Sequence, residues 1–439
     1  MEMPCKFNLR LAIVCAAAAS IGMSVAFVST ARLLLVLCGL VVMVRAMTWR
    51  NTESKTKTST KSTQLATSMW STKLVLVALG AFAASMIWTV GAGNDAAMTF
   101  AKYGKLLSIA LMVLLIRTRK EALLALGFFC TTQTLLVLGS WALFAGLSVP
   151  WVHSATAKTE YAVFSSYLDQ GIITAVFAFC CWHLRQHIPG RYGRHAAVAL
   201  SLICMANVLF VLRGRSGHMV LIALMSLSIM WALPKRLQPV VFVIPFLLTA
   251  VLFFASPTVN ERLKQVVTEV GAFSSTATAV TSSGIRLNLW QRALESLLQN
   301  PLKGSGVGSW SNEYNRLEVQ HNSSYKVVHQ SNPHQEYLMW GMQLGIPGLI
   351  LFCALLAALF VDATRLPSAH ARATQCIVVG LAVACIFNSS LYDALIGDFF
   401  CVAMGLMFAL GYQMRKSPLA QDRPREFHGA QTPLSKLTA

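Results

Sequence analysis

Three places in this chain of 439 residues set a positive charge or a proton acceptor where a helix should begin. In VLRGRSGHMV, Arg213 and Arg215 flank Gly214 in a very short turn between two apolar stretches. Ser216 can cap the helix that follows. The free N–H groups and positive dipole end of that helix would draw an anion to the same spot. The alternative is that both side chains snorkel to lipid phosphates. Ser282-Ser283-Gly284 opens a second helix and puts Arg286 in its first turn, where a cation opposes the helix dipole unless an anion is present to bind. In SNPHQEYLMW, Asn332 suits an N-cap, Pro333 the first helical position and Gln335 the capping-box partner, so His334 is expected in the first turn of an apolar helix. The dipole there disfavours imidazolium, which leaves a neutral ring able to take a proton. A lone histidine is more often structural. Beside arginines that can hold phosphates, it suits transfer of a group from a phosphate-activated donor.

Positioning these residues is a task for membrane helices. The formal charge is +19, from 36 Lys and Arg against 17 Asp and Glu. On a soluble protein that excess would suggest nucleic acid. Yet 55% of residues are apolar, 12% are charged and the mean hydropathy is +0.58, whereas soluble domains carry about 25% charged residues. The chain reads as an all-α polytopic membrane protein, and a soluble enzyme, a nucleic-acid binder and a secreted disulfide scaffold are excluded. Ten of the eleven cysteines fall in apolar runs and Cys5 precedes the first, so they read as small buried residues. No CxxC pair occurs, and His321 and His329 lack the spacing of a metal site.

About twelve transmembrane helices are expected, over 9–28, 32–47, 73–91, 105–116, 122–147, 170–184, 196–212, 217–233, 239–255, 337–361, 374–390 and 399–413. This gives a nine-helix region (1–255), a loop (256–336), three last helices (337–413) and a tail (414–439). Most basic residues fall on one side of this arrangement, which places both termini in the cytoplasm and the long loop outside. The Thr/Ser/Lys stretch from Asn51 to Thr72 reads as a mobile loop. Within the long loop, 259–270 and 284–299 have amphipathic helical spacing, with Trp290, Ala293, Leu294, Leu297 and Leu298 on the apolar side of the second. Arg292 is three residues before Glu295 and reads as its ion-pair partner. Gly304 to Trp310, GSGVGSW, follows no strand and reads as a flexible turn rather than a dinucleotide site. Asp393 and Asp398 are expected in an outer turn. A transporter or flippase, the non-enzymatic alternative, would show internal repeats or broken helices carrying midplane charges. Pro245 is one interruption of that kind, and no repeat is visible.

The stretch GIRLNLWQRALESLLQNPLKGSGVGSW (residues 284–310), followed by PHQEYLMWGMQLGIPGLILF (residues 333–352), resembles the O-antigen ligase and polymerase superfamily of bacterial envelope glycosyltransferases. The whole-chain layout, with one large loop before the last three helices, is similar too. Gln335 departs from the family pattern, where Asn often follows the His. The resemblance implies a C-class membrane glycosyltransferase fold and a donor glycan on undecaprenyl pyrophosphate, used on the periplasmic face of the inner membrane. It implies neither a nucleotide sugar nor a metal. Carried over, Arg215 and Arg286 would hold the donor pyrophosphate with Arg213 as auxiliary. His334 would deprotonate the acceptor hydroxyl, and the anomeric centre would invert. The loop length favours the ligase, whose acceptor is lipid A–core oligosaccharide, with an O-antigen polymerase as the alternative.

Overall fold

The computed structural model describes residues 8–48, 57–152, 155–188, 190–256, 260, 261, 264, 265, 268, 282–321 and 331–415. In chain order the helices are α1 (Leu9–Ser20), α2 (Val25–Thr48), α3 (Lys57–Ser68), α4 (Trp70–Ser85), α5 (Gly93–Tyr103), α6 (Leu107–Leu115), α7 (Arg119–Phe144), α8 (Ala155–Glu160), α9 (Tyr167–Leu184), α10 (Arg191–Ala206), α11 (Arg215–Ala232), α12 (Ile244–Ala255), α13 (Ser282–Gln299), α14 (Trp310–Gln320), α15 (Glu336–Thr364), α16 (Ser368–Phe387) and α17 (Ala394–Arg415). Eight helical stretches are long and apolar enough to cross a membrane, counting α5 with α6 as one, and α1, α4 and α12 are shorter apolar helices. With α9, these overlap every apolar stretch expected from the sequence. The chain is an all-helical, multi-pass membrane protein.

The bundle is built around α17 and α9. Both are apolar on all sides, the pattern of a helix surrounded by protein. In α17 the apolar window is 89% buried, against α6, α7 and α16. α9 uses Ala175, Ala178, Cys180 and three phenylalanine-sized or β-branched neighbours (Phe177, Phe179, Val176) to fill the space between α10, α11 and α16. Lipid-facing helices differ: α2 leaves Leu33, Leu37, Leu40 and Val44 exposed.

Ion pairs fix the end of the bundle where α1 and α7 begin. Arg10 forks onto both carboxylate oxygens of Glu121 at 2.6 and 3.0 Å. Asp362, at the far end of α15, accepts from both Ser71 N and Ser71 Oγ at 2.8 and 2.7 Å. It therefore caps α4 from another helix, in place of a capping side chain of α4's own.

Several elements depart from expectation. α1 stops at Ser20, because Gly22 adopts φ 104 and the chain turns; Gln133 satisfies Ile21 O at 2.6 Å. The Thr/Ser/Lys stretch is helical over Lys57–Ser68, where Ala66 is buried against the core; its packing against α6 outweighs a weak local propensity. Residues 51–56, most of the helix expected over 259–270, Cys5, and the tail from 416 onward lie outside the described residues. The second loop helix forms as α13, but it buries Leu289, Ala293 and Leu297 and leaves Leu294 and Leu298 exposed. The helix is therefore rotated by about a fifth of a turn from the expected face, with Leu297 packed over Gly341 of α15. Arg292 pairs with Glu295 as expected and also with Glu318 of α14 at 2.6 Å. Asp398 is not in an outer turn. It lies in the first turns of α17, buried, and is bound by Arg32 at 2.8 Å.

The glycine-rich turn is docked rather than flexible. Residues 304–310 are all buried. Gly304, Gly306 and Gly308 have φ of 65, 87 and 75, the left-handed region that favours glycine. They let the backbone press against α4, α5 and α15. Ser305 N and Gly306 N donate to Met342 O and Gln343 O at 2.8 and 2.9 Å, and Val90 N donates to Ser305 O at 3.0 Å. Those α15 carbonyls are available because the helix breaks at Gly345, which has φ 73 and ψ −167 just before Pro347. Ile346 N is taken up by Pro301 O at 2.7 Å. α15 is thus an interrupted helix that the sequence reading did not identify, whereas Pro245 stands in the first turn of α12 and interrupts nothing. The loop turn packs into the α15 break.

A Cβ on Gly306 would lie 2.3 Å from Thr89 Cα. Gly306→Ala is expected to destabilise the protein by about 2–4 kcal/mol, read as a lowered melting temperature in detergent. Gly80→Ala, whose Cβ meets nothing within 4 Å, is expected to leave it unchanged or raised.

Candidate active site

The site is assembled at the bundle end where α9, α11 and α15 begin and α16 ends. His334 does not stand in the first turn of α15. Gln335 is the N-cap, its Oε1 accepting from Leu338 N at 2.6 Å, and the helix starts at Glu336. The expected cap, Asn332, uses its Oδ1 to accept from His334 N at 2.8 Å. That turn holds His334 at φ 51, a left-handed conformation costing a non-glycine residue about 1–2 kcal/mol. A residue so placed cannot be helical, so the histidine is set off from the helix and half-buried beside its mouth. Strain kept at such a position points to function.

The ring is oriented by a relay from two other helices. His334 Nδ1 lies 3.3 Å from Asn388 Oδ1, and Asn388 Nδ2 donates to Asp169 Oδ1 at 3.3 Å. When ionised, the Asp169 carboxylate accepts from the Asn388 amide nitrogen, and this turns the amide oxygen toward the imidazole. Asn388 therefore offers an oxygen to the imidazole, which places the ring proton on Nδ1 and leaves the Nε2 lone pair free.

The turn carrying Asn388 is itself held from both sides. Buried Glu336 accepts from Leu391 N and Tyr392 N at 3.0 and 3.2 Å, and from Tyr103 Oη and Trp340 Nε1, each at 3.0 Å. Fully buried Lys105 donates to Asp393 O and Tyr392 O at 2.5 and 3.4 Å. Asp393 closes the turn by accepting from Asn332 Nδ2 at 3.3 Å. Burial pushes the Asp393 carboxyl above the usual carboxylate range.

The arginines come from the neighbouring elements. Arg215 is the first residue of α11, and its N-cap is Gly214, with no side-chain capping bond. Ser216 is buried within the turn, not capping it. The helix before it ends in a π turn over Asn207–Val211. Arg215 Nη1 donates to Ser283 Oγ at 2.8 Å, and this bond ties α11 to α13. Arg286 is one turn along α13 from Ser283, on the same face. The helix begins at Ser282, so Arg286 is a turn inside it rather than at its first residues. Arg213 is exposed on the connection. The beginning of α11 touches the beginning of α9 at backbone distance. A Cβ on Gly217 would stand 2.9 Å from the Gly171 carbonyl carbon, and one on Gly214 would stand 3.1 Å from Tyr167 O.

The first turn of α9 therefore lies between the two groups. Through Asp169 it reaches Asn388 and His334, and through its glycine contacts it reaches the arginine-bearing end of α11. The sequence reading missed Asp169, Asn388, Glu336 and Lys105 as parts of the site. Lys105 and Glu336 carried a readable signal, since an ionisable residue inside a membrane helix is a functional candidate by default. Among the described residues no three His, Cys, Asp or Glu side chains are grouped to hold a metal.

Asn388→Ala is expected to lower turnover about 10- to 100-fold through a loosened imidazole, while the substrate concentrations for half-maximal rate stay within about twofold. Steady-state kinetics would check this, and an effect confined to those concentrations would contradict it.

Residues 200–353 match the family model described as O-antigen ligase. The matched segment runs from within α10 to within α15 and contains Arg213, Arg215, Arg286 and His334. No curated protein matches the chain.

Proposed function

From the match of residues 200–353 to the O-antigen ligase family model, we propose that the chain is an O-antigen ligase. In this reading it transfers glycan from an undecaprenyl-pyrophosphate donor to lipid A–core oligosaccharide. The observation that carries the reading is the strained His334, its Nδ1 turned to Asn388, at the same bundle end as the Arg215–Ser283 bond and Arg286.

The chemistry follows from these groups. Nε2 of His334 takes the proton of the acceptor hydroxyl as its oxygen attacks the anomeric carbon from the side opposite the leaving group. The bond from that carbon to the pyrophosphate oxygen breaks, and the electron pair leaves with undecaprenyl pyrophosphate. The new glycosidic bond is inverted. Arg215 and Arg286 hold the pyrophosphate by paired N–H donors and stabilise the charge it gains, with Arg213 as an exposed auxiliary. Asn388 keeps the imidazole in the required tautomer.

The distribution of basic residues supports a bacterial inner-membrane location with both termini cytoplasmic and the site periplasmic. In this frame a nine-helix region (1–255) and the last three helices (337–413) enclose the periplasmic loop (256–336).

The test is reconstitution in liposomes with the lipid-linked donor and either lipid A–core or further donor as acceptor. Single transfer to lipid A–core is the expected result. A ladder that grows without lipid A–core would replace the ligase reading with a polymerase. Added chelator is expected to leave the rate unchanged.

A further inference from the structure

A cleft of mixed polar and apolar lining opens between α5, the docked turn and the start of α15. It has a volume of 230 Å³ and is lined by Asp95, Thr99 and Lys102 of α5, by Gly308, Trp310 and Ser311 of the docked turn and α14, and by Ser331, Met339 and Tyr392. The proposed transfer step uses none of the α5 side chains that line it. Asp95, Thr99 and Lys102 are spaced i, i+4, i+7 and form one polar stripe along the helix. Neither charged residue is in an ion pair among the described residues; the Lys102 ammonium instead rests 3.6 Å from the centre of the Tyr392 ring.

This lining is selective. A carboxylate at one end disfavours a phosphate or another anion, whereas the hydroxyls of a diol can donate to it. The ammonium at the other end, with the hydroxyls of Thr99 and Ser311 between, can donate to ring and hydroxyl oxygens. Trp310 and Met339 give an apolar wall. The volume is below that of pockets for drug-sized ligands, which run from about 300 to 1,000 Å³, and it leaves room for one ring.

We propose that this cleft is a subsite for one uncharged, polyhydroxylated sugar ring of a substrate glycan, placed to set which glycan is accepted. The inference rests on the glycosyl-transfer reading. The ring can come from the acceptor oligosaccharide or from the donor glycan, and kinetics with each varied in turn will tell the two apart.

Asp95→Asn and the cleft-filling Ser311→Trp are assayed in proteoliposomes, with melting temperature measured alongside to identify a misfolded variant. Loss of a hydrogen bond to a charged group corresponds to about a tenfold weaker interaction or more. The expected result is therefore a rise of about tenfold in the half-saturating concentration of one glycolipid, with kcat within about twofold. If the acceptor's value moves, the ring belongs to the acceptor; if the donor's moves, it belongs to the donor. Unchanged values for both substrates in a folded Asp95→Asn variant overturn the subsite. If wild-type protein transfers nothing, the function itself has failed. The cleft is then judged by native mass spectrometry with the oligosaccharides released from each glycolipid. Binding that Asp95→Asn weakens supports the subsite, and equal or absent binding overturns it.

Discussion

His334→Ala is expected to cut glycan transfer by about 10²–10⁴-fold, the range associated with losing a positioned general base, while expression and membrane insertion persist. The substitution has a second effect. His334 holds a left-handed backbone, and alanine there bears the same strain without the ring's contacts. His334→Asn separates the two effects, because asparagine tolerates that conformation yet supplies no base at neutral pH. Asn is expected to match wild type in melting temperature and Ala in rate. Full activity in either variant, measured with purified protein and both lipid-linked substrates, would remove His334 from the chemistry.

Arg286→Lys and Arg215→Lys are expected to lower kcat/KM for the donor by about 10²-fold, the scale seen when one donor to a developing negative charge is removed. Lysine keeps the charge but loses the planar fork that matches two phosphate oxygens. The half-saturating concentration of the acceptor should stay unchanged. Arg215 also anchors Ser283, so its variant should show a lower melting temperature as well. Arg292→Lys is the control. That guanidinium joins Glu295 and Glu318, and its replacement should reduce stability without a donor-selective defect. An effect of Arg286→Lys confined to the acceptor would contradict the assignment.

The parts of this molecule legible in the sequence are those that depend on local solvation. An apolar stretch must become a helix when lipid offers no partner for its backbone, so all the expected membrane helices overlap observed ones. Arg213, Arg215, Arg286 and His334 stood out because each broke a local rule of charge or capping. The relay that orients the histidine could not be read this way. Asn388 and Asp169 are separated by 219 positions, and nothing in either's neighbourhood names the other; only the packing of α9 against α16 brings them together. The starting point of α15 was misjudged for a related reason. Asn332 could cap a helix or close a turn on His334 N, and the deciding contacts, Asp393 on Asn332 and Glu336 on the 391–392 backbone, come from the next helical connection. The face of α13 followed the same pattern. Its period was readable, but its rotation was set by Leu297 meeting Gly341.

The docked glycine turn bears on how such proteins can be recombined. The segment carrying the glycine turn and the interrupted α15 complete each other's backbone hydrogen bonds through Ser305, Gly306 and Pro301, so neither is a detachable module. A chimera that grafts only the loop from another chain would leave buried carbonyls of α15 without donors, at about 1–3 kcal/mol each. The portable unit runs from the start of α13 through the end of α17, together with matching residues at Ser85 and Thr89, which grip the turn from α4 and its exit at Val307. Exchanges of substrate preference between such proteins should therefore succeed with junctions near 281 and fail with junctions between 310 and 336.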